Sequence, residues 1–471
     1  MQPAPIEPER SLAALVAPDI LDLLETDPRS VAAETEELHP ADLADVAELI
    51  DRALVPQLLA VLPVPRAAQV LEYLSEELRT DLLETMEPEQ AAALVAGMTP
   101  DERVDTLEEM DEEAADHILE AFPERERRET EALLRYEPDT AGGLMTTEFV
   151  SVPEQQTVEE ALAAIRAIAR AGRREAMQTI YVVDARGVLT GVLSLRELLA
   201  APEGTKLGDL AWSEVVTVLA DAHPETVAQL TSNYDLAAVP VVDEDRHLLG
   251  VITVDDVIDV IQEEQTEDVQ KFGGLEALEE PYLQVGFLDL LKKRTPWLIV
   301  LFVGQMFTAA AMGFFEDAIS SATVLALFVP LIISSGGNSG SQATSLIIRA
   351  MALQELGPRD WSRVLLREAG MGLVLGLLLA LVGVLRILLW QWMGFYPFGE
   401  HYVLLATTIG ATVVGVVLFG TLTGGMLPFV LRRAGFDPAS ASAPLVATLV
   451  DVTGVVLYFS MALLLLRGTL L

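Results

Sequence analysis

The sequence contains no cysteine, which excludes disulfides, thiolate metal sites and cysteine nucleophiles, so any metal must be held by oxygen or imidazole ligands. Histidine is scarce as well, with five residues and no pair at metal-ligand spacing. A Gly-rich phosphate loop and a serine elbow are also missing, so the chain carries no enzyme signature and is expected not to be an enzyme. Basic residues are few: 30 Lys and Arg stand against 71 Asp and Glu. So dense an anion repels nucleic acid and anionic headgroups and gathers divalent cations, so nucleic acid is not an expected partner. The opening Met1-Gln2-Pro3-Ala4-Pro5 has neither the basic stretch nor the apolar core of a secretory signal. The acidic part is therefore expected to stay in the cytosol.

The charge is unevenly placed, since 62 of the 71 acids and 19 of the 30 bases precede residue 281. A solvated halophile-type surface would show the same excess, and metal binding is compatible with it. Residues 1–135 read as short amphipathic helices with proline-led starts at His39-Pro40-Ala41-Asp42, Leu62-Pro63-Val64-Pro65, Glu87-Pro88-Glu89 and Thr99-Pro100-Asp101. Proline suits a first helical turn because its missing N–H would be unpaired there, and acids suit the positive end of the dipole. The expected arrangement is an all-α domain of helical hairpins stacked as a solenoid.

Next, one unit is written twice. Ile180-Tyr181-Val182-Val183-Asp184 followed by Leu189 to Arg196 is matched by Val239-Pro240-Val241-Val242-Asp243 followed by Leu248 to Asp255. Each copy reads as strand, turn, strand and helix start, after an earlier helix at Val158 to Ala169 or Pro224 to Tyr234. The layout resembles a tandem α+β CBS pair, with copies at 136–201 and 202–265. Residues 266–295 form an acid-rich connector ending in a helix from Val285 to Arg294.

Residues 296–471 hold five apolar stretches long enough to cross a bilayer. They are Trp297 to Phe314, Ala318 to Ser335, Glu368 to Trp390, Val403 to Phe429 and Ala441 to Leu466, and Gly336-Gly337 is expected to interrupt the second. Basic residues cluster at Lys292, Lys293 and Arg294, at Arg349, Arg359, Arg363 and Arg367, and at Arg432 and Arg433. The positive-inside rule places all three clusters in the cytosol, giving a multi-pass plasma-membrane protein with a cytoplasmic N-terminus and an external C-terminus. Five spans do not divide into two equal inverted halves, so a pore between two copies, a homodimer, is the expected assembly.

Asp451 lies well inside the last span, where a lone carboxylate costs about 2.5 to 3.5 kcal/mol and normally faces a polar path or a partner. It has no obvious basic partner in the other spans except Arg386, which lies near the opposite end of its helix. Two such carboxylates across a dimer axis would suit a hydrated magnesium ion, which favours one or two carboxylates plus retained water. The run Gly336 to Gln342 puts glycines and small hydroxyl residues at membrane depth. It reads either as helix packing or as backbone lining a watery path, with freed carbonyls facing the ion.

With these residues in view the chain resembles the MgtE family of magnesium transporters. The resemblance rests on Leu38-His39-Pro40-Ala41-Asp42, Tyr136-Glu137-Pro138-Asp139-Thr140-Ala141-Gly142-Gly143-Leu144-Met145, Asp255-Asp256-Val257-Ile258-Asp259-Val260, the Gly336 to Gln342 run, and Asp437-Pro438-Ala439 ahead of Asp451. It implies a helical N-terminal domain, a CBS pair, a connecting plug helix and a five-helix transmembrane domain, assembled as a homodimer that passes magnesium. It further implies that Asp451 is the ion-binding carboxylate of the pore, with Asn338, Gly336, Gly337 and Ala447 at the constriction. Asp101, Glu225, Asp235, Asp256, Asp259, Glu264, Glu267 and Asp268 would be sensor acids that bind cytosolic magnesium and close the pore. Gln69 and His223 stand where carboxylates are expected, and Ala443 where some relatives carry Asn. Thr253 and Asp256 match the hydroxyl and carboxylate with which CBS modules hold a nucleotide, so ATP at the second copy is a further expectation.

Overall fold

The computed structural model describes residues 12–170, 178–278, 282 and 285–469, so the Met1 to Pro5 opening lies outside the described residues. The chain divides after Ile261 into two compact units.

The first unit begins with short helices: α1 (Leu12–Thr26), α2 (Val31–Glu34), α3 (Pro40–Leu49), α4 (Val55–Val61), α5 (Val64–Glu72), α6 (Glu76–Thr85), α7 (Pro88–Val95), α8 (Pro100–Glu108), α9 (Glu112–Glu120) and α10 (Glu124–Leu133). The expected proline-led starts are seen in α3, α5, α7 and α8, each with proline in the first turn. α3 packs on α5, α5 on α7 and α7 on α9, which is the stacking of a solenoid. The acids have a structural use in this stack. Glu48 accepts the backbone N–H of Ser75 at 2.9 Å, Glu72 that of Thr99 at 2.9 Å and Glu84 that of Asp111 at 3.3 Å, each 27 residues further on. Each contact satisfies an otherwise unpaired donor at a helix start.

Two three-stranded sheets follow. β1 (Val150–Pro153), β2 (Thr179–Val183) and β3 (Leu189–Ser194) form one; β4 (Val218–Leu219), β5 (Ala238–Val242) and β6 (Leu248–Thr253) form the other. The first strand of each runs parallel to the second, a pairing that strand-turn-strand patterning alone did not disclose. The registers repeat in detail: Val182 faces Gly191 and Val241 faces Gly250, with an irregularity after each valine. Helices α11 (Val158–Arg170), α12 (Leu195–Ala200), α13 (Leu207–Leu210) and α14 (Pro224–Tyr234) complete the pair, and α15 (Val254–Phe272) continues across the division. Val104 and Leu133 share a core with Val218, Val239 and Ile252, so α8 and α10 are fixed against the second copy.

The second unit contains α16 (Phe287–Phe314), α17 (Glu316–Ser321), α18 (Val329–Ala352), α19 (Trp361–Met393), α20 (Tyr402–Arg433) and α21 (Ala443–Leu466). Among the described residues, five apolar segments are long enough to span a membrane. Two expectations change here. The Val285 to Arg294 stretch is no separate helix; from Phe287 it is the opening of the helix that becomes the first span. The second span is displaced, because α18 runs unbroken through Gly336-Gly337 to Ala352 while Ala318 belongs to the short α17. Helix neighbours can compensate for glycine's weak propensity at membrane depth, and α20 does so here.

Candidate functional site

Asp451 lies on α21, nine residues beyond the Ser442 cap, whose hydroxyl accepts the N–H of Leu445 at 3.3 Å. The carboxylate is half-buried, and its Oδ2 accepts a 2.8 Å hydrogen bond from Gln305 Nε2 on α16. Gln305 was not anticipated, although a lone amide in an apolar span is open to the argument that singled out Asp451. Arg386 does not pair with Asp451; its guanidinium stacks on Trp390, 4.3 Å from the ring centre.

The glycines of α18 explain its packing. Gly336 and Gly340 face Gly420 and Gly424 of α20, and a Cβ on Gly420 would collide with the Gly336 carbonyl, as one on Gly424 would with the Gly340 carbonyl. A Cβ on Gly336 would lie 2.5 Å from Val416 and 2.7 Å from Val450. Of the two readings of this run, helix packing is seen directly: the helix is continuous, and these glycines allow backbones to touch. Gly337 is buried, and its missing Cβ would sit 3.6 Å from that of Ala447. Asn338 is exposed, its Nδ2 3.5 Å from Ser334 Oγ. Ala443 is the first residue of α21, and its carbonyl accepts a 3.4 Å bond from Ser341.

The first unit gathers carboxylates around the start of α8. Asp101 is almost fully buried, one of its oxygens has no hydrogen-bond partner, and burial pushes its carboxyl upward. Asp256, in the first turn of α15, accepts the Thr253 hydroxyl at 2.7 Å and the Thr253 N–H at 3.3 Å. Burial, then the charge of Asp101, raises Asp256 to about 7. The same two causes raise Glu102 to about 8 and Asp105 to about 7, and burial raises Glu72 to about 6. Arg79 is the local counter-charge, paired with Glu109 and lying 3.6 Å from Glu102. Glu72, Glu102 and Asp105 were not among the expected acids, though the spacing of Asp101 and Asp105 already puts them on one helical face.

The remaining sensor candidates are dispersed. Glu225 is exposed and accepts from Gln229 at 3.0 Å, Asp235 ends α14 with a left-handed φ of 50°, and Asp259 is exposed on α15. His223 caps α14, its Nδ1 accepting the N–H of Glu225 at 3.3 Å, a role for which imidazole serves in place of a carboxylate. Glu264, Glu267 and Asp268 lie further along α15, and Glu267 pairs with Lys271, whose ammonium also reaches Asp437 at 2.7 Å. Among the described residues no three His, Asp or Glu side chains converge in metal-binding geometry. The charge of Asp101 is among the causes that raise the proton affinity of Asp256.

Residues 329–461 match the family described as a divalent cation transporter, residues 38–139 the MgtE intracellular N domain, and residues 141–204 and 207–263 the CBS domain. The chain is 44% identical over 344 residues to the magnesium transporter MgtE of Thermus thermophilus, covering 73% of this chain and 74% of that one. It is 36% identical over 342 residues to the magnesium transporter MgtE of Enterococcus faecalis, covering 73% and 72%. The structure is similar to the crystal structure of the soluble part of a magnesium transporter, with 33% identity and a TM-score of 0.51 over 54% of this chain and 99% of that one.

Proposed function

The chain belongs to the MgtE family of magnesium transporters, and from that premise we propose that two copies form a plasma-membrane pore whose ion-binding group is Asp451. The observation that carries this reading is the half-buried Asp451 carboxylate, held by Gln305 inside an apolar helix. A carboxylate at that depth is costly and faces a polar path or a partner; Gln305 engages one of its oxygens, and the reading gives the other to the ion path. Magnesium keeps most of its water and takes one or two carboxylates, which a pair of Asp451 side chains from two copies supplies. Asn338, exposed on α18, and Ala447, half-buried on α21, would narrow the path beside them. The basic clusters orient the chain with its N-terminus in the cytoplasm and its C-terminus outside.

Closure is assigned to cytosolic magnesium at the acidic face around Asp101 and Asp256. Carboxylates whose proton affinity is raised by burial and by a neighbouring charge are stabilised by a bridging dication, which favours the closed state by its difference in affinity for the two states. Glu225, Asp235 and Asp259 in the first unit, and separately Glu264, Glu267 and Asp268 on the later part of α15, would take further magnesium. The Thr253 and Asp256 pair is also where ATP would meet the second CBS copy, its hydroxyl and carboxylate exchanging their mutual bond for the ribose.

The test is magnesium uptake by a strain lacking its own uptake system. The wild-type chain is expected to restore growth in low magnesium, and Asp451→Ala to abolish the rescue at unchanged protein level. Rescue by the alanine variant would remove Asp451 from the ion path.

A further inference from the structure

The side chain that meets Asp451 is the amide of Gln305, and the contact is built by the sequence around it. Gly304 precedes Gln305, and a Cβ there would lie 2.5 Å from Cγ2 of Thr448, three residues before Asp451. The two helices are therefore in tight contact one residue from where the amide reaches across. Leu298 to Phe314 carries no charged residue and Gln305 as its one amide. A polar group at that depth without a partner costs free energy, so a 2.8 Å bond to a carboxylate indicates placement for that carboxylate.

An amide offers both donor and acceptor, whereas an ionised carboxylate only accepts. With its N–H directed to Asp451 Oδ2, Gln305 leaves its own Oε1 and the other Asp451 oxygen available. We propose that Gln305 is a positioning and specificity residue for the transported ion, fixing the Asp451 carboxylate so that it and the amide carbonyl accept from the water shell of hydrated magnesium. A carboxylate free to turn could approach the ion directly, which suits a larger cation that dehydrates readily, such as calcium. The inference rests on the reading of Asp451 as the ion-path carboxylate.

The experiment uses the full chain in liposomes, with magnesium and calcium influx followed by indicator dyes in wild type, Gln305→Leu, Gln305→Asn and Asp451→Ala. Gln305→Leu is expected to keep a measurable maximal rate while its half-saturating magnesium rises about fivefold to tenfold and its magnesium-over-calcium preference falls about tenfold, the scale of one charge-assisted hydrogen bond. Gln305→Asn, which keeps the amide on a shorter arm, is expected to fall between. Asp451→Ala is expected to pass neither ion. Wild-type half-saturation and preference in the Gln305 variants, alongside an inactive Asp451→Ala, would overturn the role of Gln305 and leave that of Asp451 standing. Wild-type flux through Asp451→Ala would overturn both. If Gln305→Leu is not recovered folded, Gln305→Asn decides by the same two readouts.

Discussion

A carboxylate's role in this chain depends on what covers it. Composition reveals a surplus of acids, but Asp101 differs from its neighbours because α8 is packed against the second CBS copy, which removes it from water. The consequence is a pH dependence with a definite sign. A carboxyl whose value is raised in the folded chain contributes stability that is fully present below its unfolded value, about 4, and that is lost as pH rises through its folded value. That loss falls near pH 6 for Glu72, near 7 for Asp105 and Asp256 and near 8 for Glu102. In the presence of chelator the full chain is expected to melt about 3 °C or more lower at pH 8 than at pH 5.5, read by thermal unfolding of the soluble half. Millimolar magnesium at pH 8 is expected to recover the loss, and a midpoint indifferent to both pH and magnesium would contradict the assignment of these acids to a metal.

At the scale of elements, two contacts set how helices meet in the second unit. The glycines of α18 and α20 interdigitate at Gly336, Gly340, Gly420 and Gly424, where even a methyl group meets backbone. Gly424→Val is expected to destabilise the membrane half by roughly 1 to 3 kcal/mol or more, since overpacking there can be relieved only by separating the helices. A lower melting temperature in detergent, compared with Gly370→Ala at a position with open space, would show it. The end of α15 is held by Lys271, which bridges Glu267 and Asp437 on the turn that leads into α21. Phe272 packs beside Ile348, Ala439 and Ala441 at the same place. Lys271→Met leaves two carboxylates facing each other without their cation, and faster proteolysis between residues 273 and 278 is expected. Recovery of resistance in the exchange variant Lys271→Asp with Asp437→Lys would attribute the effect to charge.

On the scale of the whole molecule, α16 buries none of its residues in the protomer although it is long and apolar enough to span a membrane. The proposed dimer gives that surface a partner, and light scattering of the detergent-solubilised chain is expected to return twice the 51.0 kDa chain mass. The sequence by itself determined the parts: proline spacing marked the helical starts, a repeated strand motif marked the CBS pair, and apolar runs marked five spans. These signals are local and periodic, so they survive without knowledge of neighbours. Asp451 was legible for the same reason, as a charge where its surroundings are apolar. What only the tertiary structure decided was which residues stand opposite one another. Gln305 against Asp451, Asp101 near Asp256, Lys271 between two acids, and glycines closing a helix pair in place of opening its backbone are all contacts between segments distant in sequence. No periodicity encodes such contacts, because they arise when helices pack at angles and distances set by all their side chains together.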